Sequence, residues 1–337
     1  MYPKTLLKMI YILTINNMLY VINGDHYKLA INTMTDLAKE HLTTDEYENI
    51  QTLLRLQKLP LTLLSNFIPK FQCEDYLFQG NNSLWVESFN PSCPNTVLFF
   101  HGGGYHMGTA HMYQYMGREI FDVLNGTVNT AVPQYNVLIV DYKKSPQYKH
   151  PIAILESLNI YQSLVAICPD TNFYLVGESA GGHLALQLSH QIVSKSIKPP
   201  TKVLVYSPWC VSNYPKSSKD VTNTDYVCHV HEEQWRHNYT QSQQQDTPLP
   251  ATQLDASSID IPASLLDLSY CNFPPTIVDY GTEYLQKEIE ALVAKMSQDG
   301  CSVKSYHCKN MPHSFILFYP LSNKIKKLFH KSLLSLI

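Results

Sequence analysis

Neither sign of charge dominates this chain. Lys and Arg number 25 against 28 Asp and Glu in 337 residues, and charged side chains make up only 16% of the total. Such a balance lacks the basic footprint that nucleic-acid binding requires, so no nucleic-acid partner is expected. No Cys-x-x-Cys occurs among the eight cysteines, which are scattered from Cys73 to Cys308. They read as buried thiols rather than as a disulfide framework or a zinc site. His229, His231, Glu232, Glu233 and His237 are dense, but they match no zinc spacing such as His-Glu-x-x-His and read as a solvated polar face. No internal repeat is present. No apolar run reaches the ~20 residues of a spanning helix. The nearest is 9–22, interrupted by Thr14, Asn16 and Asn17, with no small-residue cleavage site after it. A hydrophobic helix packed on the protein suits it better than a membrane anchor, because two central asparagines are costly in lipid. Both readings stay open, and with them a cytoplasmic or an endoplasmic-reticulum-associated location.

What is present is ample apolar material, 45% of residues, arranged in alternating segments. Residues 25–60 read as helical, with the capping-box spacing Thr43-Thr44-Asp45-Glu46 ahead of Ile50, Leu53, Leu54 and Leu56. A β-hairpin is expected from 71–78 and 84–89 around Gly80-Asn81-Asn82. Strands follow at 95–100, 136–140, 173–176 and 202–206, with helices at 113–124 and 152–167 and another after the third of these strands. The first helix stops at Asn125-Gly126, a good C-terminal signal. The alternation fails over 208–270, then resumes with strand 276–279, helix 285–298, strand 303–306 and a helix from about 323. Strands alternating with helices imply a mostly parallel sheet flanked by helices. The catalytic core would thus span 71–207 and 271–337, with 208–270 and the helical segment 1–70 forming a lid.

The organising stretch is Asn172-Phe173-Tyr174-Leu175-Val176-Gly177-Glu178-Ser179-Ala180-Gly181-Gly182-His183. A strand runs straight into Gly-x-Ser-x-Gly, and Leu184, Leu188 and Ile192 recur behind it at helical spacing. A strained strand-to-helix turn of this kind lifts a serine above the sheet edge, and small residues must flank it. Ser179 is therefore the candidate nucleophile. His101-Gly102-Gly103-Gly104 follows another strand, where backbone amides can approach a developing oxyanion without Cβ obstruction. A serine nucleophile also needs a base and an acid to orient it. His313, one of fourteen histidines, follows the last expected strand and can swing back over Ser179. Asp279, Glu283 and Glu288 all lie near the end of the preceding strand. Asp279 reads as still within the strand and Glu288 as an exposed carboxylate too far along the helix. Glu283, in the turn, is the candidate acid.

These blocks in this order resemble the hormone-sensitive-lipase-like branch of the α/β-hydrolases, which includes arylacetamide deacetylases and fungal steryl acetyl hydrolases. The likeness spans roughly residues 80–320 and also takes in Asp141-Tyr142, Ser145-Pro146, Ser207-Pro208-Trp209, the run from Glu283 to Glu288, and His313-Ser314-Phe315. It implies an α/β-hydrolase fold, a triad of Ser179, Glu283 and His313, and oxyanion donation by the amides of Gly103, Gly104 and Ala180. It also implies a serine carboxylic-ester hydrolase acting through an acyl-enzyme on acetyl or other short-acyl esters of hydrophobic alcohols. The expected partner is that small-molecule ester, with no metal or organic cofactor. Three positions depart from the family: Glu178 where aspartate is common, Glu283 where the acid is more often aspartate, and Lys143-Lys144 after Asp-Tyr. A kynurenine formamidase-like amide hydrolase is a rival, disfavoured by Tyr105 where that enzyme has tryptophan. A non-enzymatic receptor on the same scaffold is another, disfavoured by the retained His313.

Overall fold

The computed structural model describes residues 73–78, 81–126, 132–211, 225, 227, 229–241, 261–319 and 322–337. The readings of 9–22 and 25–60 fall outside the described residues. The strands are β1 (Cys73–Phe78), β2 (Asn81–Val86), β3 (Asn95–Phe100), β4 (Tyr135–Val140), β5 (Asn172–Glu178), β6 (Lys202–Tyr206), β7 (Thr276–Gly281) and β8 (Val303–Cys308). They form one sheet in the order β1-β2-β4-β3-β5-β6-β7-β8. β1 and β2 pair antiparallel, as do β2 and β4, and the remaining neighbours are all parallel. Parallel strands covered on both faces are apolar along their length rather than alternating. β4 obeys this with all six residues buried, and β3 with five of six. β8 closes the sheet and carries Lys304, Ser305, Tyr306 and His307 exposed, as suits an edge strand.

One expected turn is corrected. Asn81 and Asn82 lie inside β2, paired with Phe78 and Leu77, so the hairpin is tighter than the expected Gly80-Asn81-Asn82 turn. Asn81 can open a strand because its side chain is satisfied there. Its Nδ2 donates to the Asp141 carbonyl at 2.8 Å, and its Oδ1 accepts from the Ser83 amide at 2.9 Å.

The helices are α1 (Gln114–Gly126), α2 (Ile152–Ile167), α3 (Ala180–Ser194), α4 (His229–Gln241), α5 (Gln286–Gln298) and α6 (Asn323–Leu334). α1 packs against β4 and α6, while α2 packs on α3. A 3₁₀ turn at Leu265–Asp267 touches both α3 and α5. Leu184, Leu188 and Ile192 of α3 are completely buried, as their four-residue spacing implies. Each such side chain contributes about 1.5–3 kcal/mol through the apolar area removed from water. No two of the described cysteines form a disulfide. No helix among the described residues is long and apolar enough to cross a membrane.

Candidate active site

β5 delivers its last residue, Glu178, into Ser179, which turns the chain sharply with φ 55° and ψ −118°. A non-glycine residue held there is strained, and such strain persists only where the surroundings enforce it. Tight packing around the turn does so. A Cβ on Gly177 would lie 2.2 Å from the Gly181 carbonyl oxygen, and one on Gly181 would lie 2.0 Å from that of Phe100. Ser179 is anchored by its own amide, which donates to the Tyr206 carbonyl at 2.9 Å. α3 begins immediately afterwards, so the Ala180 amide belongs to the orphan donors of a helix start.

β7 and β8 bring the other two groups to the same edge. Ser179 Oγ stands 2.9 Å from His313 Nε2, and His313 Nδ1 stands 2.9 Å from Glu283 Oε1. All three side chains are buried. In the tautomer with its proton on Nδ1, His313 donates to Glu283 and accepts the serine hydroxyl proton on Nε2. Burial pulls the His313 imidazole down. The charge and hydrogen bond of Glu283 oppose it, helped by the charges of Asp225 and Glu178, and hold the imidazole above the ordinary histidine value.

The rival carboxylates go elsewhere. Asp279 remains inside β7 and accepts from Ser332 of α6, and burial pushes its carboxyl up to about 7. Glu288 does not serve the histidine, but its expected exposure is wrong: it is buried. It shares one face of α5 with Leu292 and Met296, four and eight residues on, and that face packs into the core.

Ser207, which carries no role in the sequence reading, supports this arrangement. Its hydroxyl donates to Glu283 Oε2 at 2.6 Å and accepts from the Ser314 amide at 3.0 Å. The Gly281 amide gives the same Glu283 oxygen a second hydrogen bond at 2.8 Å. Asp225 is a second unforeseen contributor, with hydrogen bonds to the backbone of both loops that carry Glu283 and His313. Only its place in the broken 208–270 pattern could be read, and that says nothing of where its carboxylate goes.

The glycine run after β3 lies alongside. Gly103 has φ 116°, a conformation L side chains rarely adopt. Among the described residues, neither the Gly103 nor the Gly104 amide donates to a backbone acceptor. The run is braced from below. Tyr142 donates to the His101 carbonyl at 2.7 Å and stacks on the His101 ring. Glu178 packs so closely that a Cβ on Gly102 would meet its Oε2 at 2.2 Å, and Tyr113 donates to that same oxygen at 3.2 Å. Burial raises the Glu178 carboxyl above its ordinary value.

α4 approaches from the 208–270 stretch. The Trp235 ring lies against the glycine run, where a Cβ on Gly104 would fall 2.7 Å from its Cδ2. The expectation of a wholly solvated face is corrected at Glu232, which is buried and accepts from Trp209 Nε1 at 3.4 Å. Glu233 and His237 are exposed. Among the described residues no cluster of three His, Cys, Asp or Glu is placed to hold a metal ion.

A family model described as alpha/beta hydrolase fold matches residues 97–317, well over half of the chain, and takes in Gly103, Ser179, Glu283 and His313. The chain belongs to the α/β-hydrolase family. Within it, the chain is 28% identical over 126 residues to a putative acetyl-hydrolase of Mycobacterium tuberculosis, covering 37% of this chain and 38% of that protein. It is 28% identical over 134 residues to steryl acetyl hydrolase 1 of Saccharomyces cerevisiae, covering 38% of this chain and 30% of the relative. The chain thus spans about a third of the length of these curated relatives. A solved esterase from the bacterial hormone-sensitive lipase family superposes with a TM-score of 0.67 at 20% identity, over 93% of this chain and 98% of the other. At that identity the likeness concerns the fold, and an eight-stranded α/β-hydrolase sheet is what the structure displays.

Proposed function

We propose that this α/β-hydrolase is a serine carboxylic-ester hydrolase that works through an acyl-enzyme. The observation that carries the reading is the unbroken chain from Ser179 Oγ to His313 Nε2 and from His313 Nδ1 to Glu283 Oε1, each step 2.9 Å. In this reading Ser179 attacks the ester carbonyl while His313 takes the hydroxyl proton on Nε2. The carbonyl oxygen becomes an oxyanion that accepts from the amides of Gly103, Gly104 and Ala180. Each such donor is worth on the order of 10²–10³ in rate. The tetrahedral species collapses, the alcohol leaves with the proton from His313, and the acyl group stays on Ser179. Water repeats the sequence and releases the acid. Glu283 holds the imidazole in its working tautomer and stabilises the imidazolium. Water is the only co-reactant, so the chemistry calls for no metal or organic cofactor.

The substrates we assign are acetyl or other short-acyl esters of hydrophobic alcohols. Two observations support this class. Two relatives are named acetyl-hydrolase and steryl acetyl hydrolase, and Trp235 on α4 sets an apolar wall against Gly104. On this account 208–270 is a lid, and its side chains shape what reaches Ser179. Rates on p-nitrophenyl esters from acetyl to decanoyl test the assignment. Acetyl to butyryl esters should be hydrolysed fastest. A maximum at decanoyl would overturn the short-acyl assignment, and absence of hydrolysis throughout would favour a non-catalytic receptor.

A further inference from the structure

Residues from three distant parts of the chain meet at one carboxylate. Asp225 precedes α4 and is 1% exposed. Its Oδ2 accepts from the Tyr284 amide, directly after Glu283 in the chain. Its Oδ1 accepts from the His313 amide at 3.2 Å and from the Val227 amide at 3.3 Å. One side chain of the 208–270 stretch therefore grips the backbone of both loops whose side chains must meet over Ser179. We propose that Asp225 is a positioning residue of the hydrolytic site, locking the acid loop and the histidine loop in register; this rests on the serine-hydrolase reading above.

The chemistry of the group explains why a carboxylate stands there. An ionised carboxylate offers acceptor oxygens on both sides, while asparagine has one acceptor oxygen and an amide that only donates. With Tyr284 and His313 served by different oxygens, asparagine can satisfy one of the two amides and must face the other with N–H against N–H. Glutamate keeps both acceptors but pushes them one methylene further into a closed space. Misplacement of a catalytic group by about 1 Å can cost on the order of 10²-fold in rate.

Charge adds a second, separable consequence. The titratable groups that act on one another in this space are Asp225, Glu283 and His313, and the charge of Glu178 also reaches His313. Burial raises the Asp225 carboxyl, the His313 imidazole lowers it, Glu283 raises it again, and the two amides lower it, leaving it at about 6. Above that pH its negative charge adds to that of Glu283 in favouring the imidazolium formed when Ser179 loses its proton. Without it, His313 should hold its proton less tightly.

The test uses the full chain and p-nitrophenyl acetate, comparing wild type with Asp225→Asn and Asp225→Glu. Active-site titration with a fluorophosphonate normalises each preparation to its competent fraction. Asp225→Asn should lower kcat by about 10–10²-fold, in keeping with misplacement of a catalytic group, and leave KM within about threefold. The acid limb of the kcat/KM–pH profile should also move to lower pH. A role in stability alone would reduce the competent fraction but leave normalised kcat and the acid limb unmoved, and that result would overturn the inference. Should Asp225→Asn not fold, Asp225→Glu carries the test. A lowered kcat with the acid limb in place supports positioning, and wild-type kcat overturns it. If wild type itself neither hydrolyses the ester nor labels at Ser179, the serine-hydrolase reading falls and this inference with it. Active wild type beside an indifferent Asp225→Asn sinks the Asp225 role alone.

Discussion

Ser179 and Glu283 are the residues on which the proposed chemistry turns, and two substitutions separate them from their neighbours. Ser179→Ala should reduce ester hydrolysis by more than about 10³-fold with the melting temperature preserved, because alanine keeps the same Cβ in the strained turn and loses only the hydroxyl. Glu283→Gln should lower kcat by about 10³–10⁴-fold, since it keeps the shape but loses the charge behind His313. Glu288→Gln should leave kcat within about threefold and show its effect in thermal unfolding instead, as a buried residue on the core face of α5. Equal kcat losses in the two glutamine variants, assayed in parallel, would remove Glu283 from the mechanism. The pH profile follows from His313. It must be neutral to accept the serine proton, and its imidazole is held above the ordinary 6.5. Activity should therefore fall on acidification with a midpoint above 6.5, and a midpoint below 6.5 would contradict the observed partners. The meeting of Ser179 and His313 at 2.9 Å is legible in the sequence because a glycine-flanked turn and a place after the last strand are local signals. Ser207 and Asp225 are not, because their roles depend on chain separations of 76 and 88 residues closing to hydrogen-bond distance.

Among the elements, α4 shows most plainly what sequence leaves out. Its polar composition suggested a solvated face. In the fold Tyr239 is buried, stacks on Tyr105 at 4.0 Å, and donates to His150 Nδ1 at 3.1 Å. Tyr105 in turn donates to His183 Nδ1 at 2.7 Å, and His183 Nε2 donates to the Ala263 carbonyl at 2.7 Å. Burial drives the His183 imidazole down to about 3, so it stays neutral and keeps this acceptor–donor arrangement. One aromatic and imidazole cluster thus joins the glycine-run loop, α3, α4 and the segment before the 3₁₀ turn. Strands and helices of the sheet were legible because each carries its own periodicity, whereas α4 is ordered by partners elsewhere in the chain. Trp235 gives the specificity test. Trp235→Ala should raise kcat/KM for octanoyl relative to acetyl esters by about tenfold or more, as removal of an apolar wall admits added methylenes. An unchanged ratio would mean that α4 does not shape the substrate channel.

For the whole molecule, the sheet sets both stability and site, and Asp279 links stability to pH. Its carboxyl lies buried in β7 with a folded value of about 7 against an ordinary 3.8. Between those values the folded chain holds a proton that the unfolded chain releases. The stabilising contribution is complete below about 4 and is lost as pH rises through 7. Asp279→Asn removes this dependence. Its unfolding free energy relative to wild type should improve between pH 5 and pH 7, by at most about 1.4 kcal/mol per pH unit, with a matching rise in relative melting temperature. A pH-independent difference would show that Asp279 is not the group responsible. The central claim is that Ser179 is an activated nucleophile, and its most direct test is labelling of the full-length chain with a fluorophosphonate, mapped by peptide mass spectrometry. Ser179 should be modified stoichiometrically, more slowly in the presence of a short-acyl ester and not at all in His313→Ala. An unmodified Ser179 in folded protein, or labelling unaffected by loss of His313, would contradict that claim.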